Sequence, residues 1–343
     1  MRQNNRPRAL DIALKAGLST STVDRVLNGR GRVSTKAVRL VMEARSELEQ
    51  QVSPVSSLTD QIEVILPENA GNSTRYLGAF FRLAGHRSGV AIKVNWVDRM
   101  NPAALSAALL GTLERRPQGV AFQALDHPLV HEAVAKLRSE GMRLTTIVSD
   151  LTGEGVGYVG MDNRAAGRTA ALLMGNYCIG SGSVAIVWSG QLSRAHEERE
   201  SGFRALMRAE FPDMMVKDIN SGNDQPEENF RLIQELLESD KSVAGIYCVG
   251  AGPSAIVDAV KAAKQINRIK IFAHNLTHVT RAHLLASEID IVIHQSMQEI
   301  ADRALAEIMS GKPISRHSVA TQVITRENAL HHLDLNAISD WLD

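Results

Sequence analysis

Nine short, β-rich and largely apolar runs punctuate this chain, at residues 62–66, 91–97, 119–123, 144–148, 183–188, 215–219, 243–249, 269–273 and 289–293. Between them lie stretches of helical pattern, among them 103–115, 129–140, 164–178, 197–209, 227–237 and 254–264. A strand that is apolar throughout, rather than alternating, is buried on both faces, and parallel pairing needs a long crossover that a helix supplies. The spacing therefore predicts doubly wound parallel α/β sheets. Ligands of such sheets lie beyond the carboxyl ends of the strands, so strand-end loops are where function is to be sought.

The first 50 or so residues follow a different rule. Asp11-Ile-Ala-Leu-Lys-Ala-Gly-Leu-Ser-Thr-Ser-Thr-Val-Asp-Arg-Val-Leu-Asn28 reads as a small all-α helix-turn-helix. A first helix ends at Gly17, Ser19 stands where a second needs its N-cap, and Asn28-Gly29 provides the stop. Ala13 and Val23 are expected to meet across the turn, with Leu10, Leu18, Val26 and Leu27 filling the small core. That leaves Thr20, Ser21, Asp24 and Arg25 facing outward. Arg25 can fork onto a guanine edge or a phosphate, and Thr20 and Ser21 can reach base edges or phosphate oxygens. A helical hairpin with no nucleic-acid role has the same spacing. Charge favours the DNA reading: the first 46 residues hold ten basic side chains, Arg30 and Arg32 among them, against three acidic ones, within a chain whose 38 basic and 38 acidic residues balance. Positive charge gathered at one end of a neutral protein is the footprint of phosphate binding.

The run Asp-Ile-Ala-x-x-Ala-Gly-Leu-Ser-x-x-Thr-Val-x-Arg-Val-Leu-Asn resembles the headpiece of the lactose/galactose repressor (LacI/GalR) family of bacterial transcription regulators. Arg32-Val33-Ser34 and residues 35–49 resemble that family's loop and third helix, with Ser34 as N-cap. By position, the resemblance puts Thr20, Ser21 and Arg25 on the recognition-helix sites that read bases. Asp24 departs from the small hydroxyl residue usual there; facing the groove, an acid repels phosphate unless it accepts from a cytosine amine or pairs with Arg25. The segment 50–61 also departs, lacking the family's Tyr-x-Pro-Asn and Ala-Arg-x-Leu. It reads as a Pro- and Ser-containing linker in which Leu58 is the only candidate for the leucine that wedges into the minor groove.

Length leaves some 280 residues beyond the head, enough for two lobes of ordinary size. With 44% hydrophobic and 4% aromatic residues, and no apolar run of 18, the chain is expected to be a soluble protein without a membrane partner. The N-terminus has no signal-peptide pattern, and Cys178 and Cys248 stand alone, so a reducing cytoplasm is expected, with no disulfide framework. Neither metal-ligand spacing among the histidines nor a Gly-x-Ser-x-Gly elbow, a Walker loop or a dinucleotide fingerprint occurs, so no enzyme, cofactor, metal or catalytic residue is expected.

The strand-end loops are polar. They deliver Asn72, Asp126, Ser149-Asp150, His196 to Arg199, Gly250-Ala-Gly252, His274-Asn275 and His294-Gln295. Carboxylate, guanidinium and carboxamide groups suit a polyhydroxylated ligand because each can engage two adjacent hydroxyls, though any one of these residues also suits a cap or turn. Ser149-Asp150, Gly160-Met-Asp-Asn-Arg-Ala-Ala-Gly167, Arg199-Glu-Ser-Gly-Phe203 and Gln295 resemble the effector domain of the same family, itself similar to periplasmic sugar-binding proteins. The resemblance then covers nearly the whole chain. It implies that Asp150, Arg199, Asn275 and Gln295 hold a sugar; Asn72 and Asp126 are candidates from the strand-end loops alone, and Phe80 and Trp188 are stacking walls or core. Tyr247 to Gly252 departs from the usual Asn-Asp and removes one expected contact.

The expected organisation is a headpiece at 1–50, a linker at 51–61, a first lobe at 61–160 with 294–328, a second lobe at 161–293 and a tail at 329–343. The expected function is that of a homodimeric DNA-binding regulator, a repressor of carbohydrate or polyol catabolism whose affinity for a palindromic operator changes when a sugar-like effector binds between the lobes. An activator of the same architecture, and a cytoplasmic sugar-binding protein with a degenerate head, are the alternatives.

Overall fold

The computed structural model describes residues 9–28, 33–51, 59–153, 155–178, 180, 182–188, 193–220, 225–250, 252–313, 315–332 and 336–342. The chain divides into two compact units, Met1–Leu58 and Thr59–Asp343.

In the first unit, α1 (Ala9–Ala16), α2 (Thr20–Leu27) and α3 (Thr35–Gln51) enclose a core of Ile12, Ala13, Val23, Val41 and Ala44, against which Leu18 and Val26 pack. Gly17 has φ +64°, the left-handed conformation that ends α1 and turns the chain. Ser19 Oγ accepts from the Thr22 amide at 3.3 Å, capping α2, and Ser34 Oγ accepts from the Ala37 amide at 3.3 Å at the start of α3. Leu27, the last residue of α2, departs from its expected core place and is 36% exposed, because the core closes on Val23 one turn earlier. The side chain of Leu10 lies outside the described residues.

The second unit contains two six-stranded sheets. The first is built from β1 (Thr59–Pro67), β2 (Ala91–Val97), β3 (Pro117–Phe122), β4 (Leu144–Ile147), β5 (Gly157–Gly160) and β11 (Arg316–Ser318), in the order β11-β5-β4-β3-β1-β2, all parallel. The second is built from β6 (Ser183–Trp188), β7 (Met215–Asn220), β8 (Val243–Cys248), β9 (Lys270–His274), β10 (Ile291–His294) and β12 (Gln322–Ile324), in the order β12-β10-β9-β8-β6-β7, parallel except for β12 against β10. Helices α4 (Asn72–Ser88), α5 (Pro102–Leu110), α6 (Thr112–Arg115), α7 (Pro128–Ser139) and α13 (Met297–Met309) belong to the first lobe. Helices α8 (Asn163–Tyr177), α9 (Arg194–Glu210), α10 (Pro226–Ser239), α11 (Pro253–Ala262) and α12 (His278–Leu285) belong to the second.

Both faces of each sheet are covered, as continuously apolar strands require. Ile62, Val64 and Leu66 of β1 face α4 and α13, whereas Ile65 faces the α5 and α7 side with Leu105 and Val130. Each such side chain, at or near zero exposure, contributes about 1.5–3 kcal/mol by leaving water. The helical stretch 103–115 is broken at Gly111 into α5 and α6, with the Thr112 hydroxyl donating to Leu109 O at 2.7 Å.

Between its two sheets the chain crosses three times, after β5, after β10 and after β11. The return segment 294–328 serves both lobes, because β12 joins the second sheet. Beyond it, a 3-10 helix (Asn336–Trp341) packs on α4: Ile338 is fully buried, the Trp341 ring lies 5.2 Å from that of His86, and Arg82 Nη1 donates to Trp341 O at 2.7 Å. No described helix is long and apolar enough to cross a membrane.

Candidate functional site

Two sets of polar groups stand out, one on each unit. On the first unit, Thr20, Ser21, Asp24, Arg25 and Asn28 are all exposed along one helix, α2. Ser21 Oγ lies 3.0 Å from Ser19 Oγ. Asp24 does not need Arg25 to settle its charge: Asp24 Oδ1 accepts from Asn28 Nδ2 at 2.8 Å, one helical turn on. That bond aims the carboxylate along the helix and leaves Arg25, among the described residues of α2, the exposed cation of this face. Arg30, Arg32 and Leu58, also expected at this face, lie outside the described residues.

On the second unit, a cleft opens where the carboxyl ends of both sheets converge. The first lobe supplies the ends of β1, β2 and β3 with Asp98, Arg99 and Gln123; the second supplies Ser193, Ala195, His196, Arg199, Gly250 and Asn275. The cleft continues into an outer chamber of about 580 Å³ that shares Ser73, Arg99, Gly250 and Asn275 and adds Asn72, Gln225 and His274.

Arg199 lies at the bottom of the cleft, 2% exposed. Its Nε donates to Asn163 Oδ1 at 2.8 Å and its Nη1 to Val249 O at 3.0 Å, while Nη2 has no partner. Burial pulls its pKa down, yet a guanidinium stays charged in a protein. Two glycines fix its position. A Cβ on Gly167 of α8 would lie 2.0 Å from Arg199 O, and one on Gly202 of α9 would lie 2.2 Å from Arg164 O, so the backbones of α8 and α9 approach as only glycine allows. Asn163, at the start of α8, is held in turn by donating to Val148 O and to the Tyr158 hydroxyl, each at 3.2 Å.

His196 is one turn before Arg199 and reaches across to Gly250, where a Cβ would lie 2.3 Å from its Nε2. Burial, then the charges of Arg199 and Arg99, push its pKa down to about 3. His274, whose Nε2 lies 2.6 Å from the Tyr247 hydroxyl, is held well below its ordinary value by burial, then by Arg199. Both imidazoles are neutral at pH 7, and the glycine-rich segment after β8 is what lets His196 stand in the cleft.

The remaining expected contacts divide. Asn275, with φ +64°, lines the cleft and its buried Oδ1 has no partner. Asn72 lines the outer chamber. Asp150 does not face the cleft: Thr146 Oγ1 donates to Asp150 Oδ1 at 2.9 Å, and Arg316 pairs with Asp150 Oδ2 from β11. Asp126 accepts from the Thr152 hydroxyl and lies 2.6 Å from His131 Nε2; burial raises its pKa, but these bonds outweigh that and leave it lowered. Gln295 sits at the second crossing between lobes, where its Oε1 accepts from the Met161 amide of the first crossing at 3.0 Å and its Nε2 has no partner. Phe80 belongs to the core, and Trp188 Nε1 donates to Asp218 Oδ1 at 2.8 Å. Asp98 and Arg99, which no sequence reading singled out, line the cleft directly after β2; the position of that strand's end was the signal available.

Residues 65–310 match the model of a periplasmic binding protein domain, and residues 10–51 match that of the bacterial regulatory proteins of the lacI family. No curated protein matches the chain. Among solved structures, the chain is similar to an ABC transporter solute binding protein from Burkholderia graminis in complex with D-arabinose, at 18% identity and a TM-score of 0.75, covering 81% of this chain and 100% of that one. It is also similar to a chain from Bacteroides fragilis described as a LacI transcriptional regulator, at 16% identity and a TM-score of 0.73 over 80% and 99%. A third, a periplasmic solute binding protein from Actinobacillus succinogenes with bound D-allose, has 17% identity and a TM-score of 0.71 over 79% and 99%.

Proposed function

The chain belongs to the periplasmic binding protein domain family and carries the DNA-binding module of the lacI-family regulators, and from that premise we propose that it represses a carbohydrate or polyol catabolic operon. The observation that carries the effector half of this reading is Arg199 at the bottom of the cleft, with one guanidinium nitrogen left for a ligand. Arg199, Asn275 and His196 from one lobe and Arg99 from the other contact the effector. Asn72 flanks it, Asp126, Asp150 and Gln295 brace the loops and the crossing behind it, and the sugars bound by the two solute binding proteins above support the ligand class.

On DNA, Arg25 with Thr20 and Ser21 reads bases, Asn28, Arg30 and Arg32 meet phosphate, and Leu58 is the candidate minor-groove wedge. One headpiece is too small to bind tightly, so the protein works as a cytoplasmic homodimer in which two heads add their contacts over a palindrome. Linkage requires the effector to prefer one lobe arrangement; a preference of roughly 3 kcal/mol changes operator occupancy on the order of a hundredfold.

The test is retention of promoter DNA by the purified protein, measured across a salt series with and without a panel of sugars. Expected is salt-dependent binding that one ligand class abolishes or restores. DNA binding that no ligand alters would remove the effector half, and absence of DNA binding with intact ligand binding would favour a sugar sensor. Where the operator lies relative to the promoter separates repression from activation.

A further inference from the structure

Among the described residues, the cleft and its outer chamber are lined by two arginines, Arg99 and Arg199, and by one carboxylate, Asp98. The buried Arg199 bonds only to neutral acceptors, the Asn163 carboxamide and the Val249 carbonyl, and keeps Nη2 unpartnered. Of the carboxylates expected to accept from the hydroxyls of a neutral sugar, Asp126 and Asp150 are engaged elsewhere, by His131 and Thr152 and by Thr146 and Arg316.

The helix starts tell the same story. In the second unit, the helices of eight or more residues that lack a side-chain N-cap are α4, α9, α10 and α11. All four begin on this cavity, contributing Ser73, Ala195, Pro226 and Pro253 to its lining. The helices α5, α7, α8, α12 and α13 are each capped by a side chain, from Asn101, His127, Asp162, Thr277 and Ser296; α12 and α13 also begin on the cavity, with Val279 and Met297 in its lining, but their first turns are already satisfied. Uncapped first turns present amide N–H groups, in α10 and α11 only from the residues after Pro226 and Pro253, and the positive end of the helix dipole; both attract anions. His274, 7% exposed, also lines the chamber, with Nδ1 unpartnered.

We infer that the effector is an anionic polyol, a sugar acid or a sugar phosphate, whose charge lies in the field of Arg199 and of these four helix starts. The inference rests on the reading of the cleft as the effector site. A carboxylate or phosphate accepts a charge-assisted bond from Arg199 that a hydroxyl cannot match.

The experiment is calorimetric titration of the full chain with aldonates, uronates and aldose phosphates, each beside its neutral parent sugar, and with inorganic phosphate. Expected is at least one charged member that binds tenfold or more tightly than its parent; whether carboxylates or phosphates do so identifies the source of the charge. Arg199→Gln should erase that preference. Gln225→Asp, which caps α10 while adding a negative charge at the chamber, should raise the Tm of the ligand-free protein yet weaken the charged ligand severalfold, so that loss of binding cannot be ascribed to misfolding. A neutral sugar that binds as tightly as its charged derivatives overturns the inference and leaves the carbohydrate-effector reading standing. A panel in which nothing binds overturns both, and unchanged affinity in Gln225→Asp counts against the placement of the charge.

Discussion

The two polar sites are built on opposite terms. The α2 face is exposed, its side chains make few and local bonds, and nothing in the core of its unit depends on Thr20, Ser21 or Arg25. The cleft is buried: Arg199 is locked between Asn163 and Val249, and its backbone lies where two helices touch through glycine. A face of the first kind can change its partner without affecting the fold. A site of the second kind ties ligand recognition to stability, because each buried polar group left unpaired costs about 1–3 kcal/mol.

The contrast is sharpest at Gly167. Gly167→Val drives a side chain into the Arg199 carbonyl; expected is a loss of about 3 kcal/mol in denaturant unfolding together with loss of ligand binding, as overpacking of a tight crossing predicts. A variant that kept both would break the link between fold and site. Next comes Arg25→Ala, which should weaken operator binding by about 1–3 kcal/mol per half-site in a gel-shift titration while leaving Tm unchanged; a falling Tm would mean that the α2 face is not independent.

Acid probes the buried histidines of the second unit, two of them in the cleft and its chamber. His196, His274 and His294 are held neutral in the folded protein, His196 to about 3 and His294 to about 4, whereas unfolded histidine takes a proton near pH 6.5. Between those values the unfolded chain binds the extra protons, so stability falls as pH is lowered from about 6.5, by up to about 1.4 kcal/mol per pH unit for each histidine. Equilibrium unfolding at pH 7 and pH 5 measures this, and His196→Gln should flatten the slope; a slope that His196→Gln leaves unchanged would mean that His196 titrates normally. The smallest effect is expected from Asp24→Ala, within about 0.5 kcal/mol in stability, with a shift in the preferred operator sequence found by selection from random DNA.

Local signals in the sequence placed what local interactions decide. Ser19 before α2, Gly17 in the turn and the apolar runs of both sheets were legible because a cap, a left-handed residue and a buried strand each depend on adjacent residues. Arg199 and Asn275 were legible as strand-end groups. Asp150 looked equally available, but its partner Arg316 arrives 166 residues later on β11, a three-residue strand with no apolar pattern to announce it. Strand β5, Gly157-Tyr-Val-Gly160, was hidden for a related reason: four residues flanked by glycine carry no periodicity, and only the sheet around them makes them a strand. Gln295 was legible as a polar strand-end group, whereas its burial and its bond to Met161 follow from the way the chain passes between the sheets.

That passage has a mechanical consequence. The three crossings are stitched together at the end of β5: Gln295 Oε1 of the second takes the Met161 amide of the first, and Val319 N of the third donates to Gly160 O at 2.9 Å. A single strap would let the lobes swivel and slide in any direction, but three straps sewn side by side are stiff against torsion and shear, and leave bending about one common axis as the soft coordinate. Binding energy delivered in the cleft is thereby channelled into one angle rather than dispersed over many, and the Gln295–Met161 bond lies on the axis of that bend.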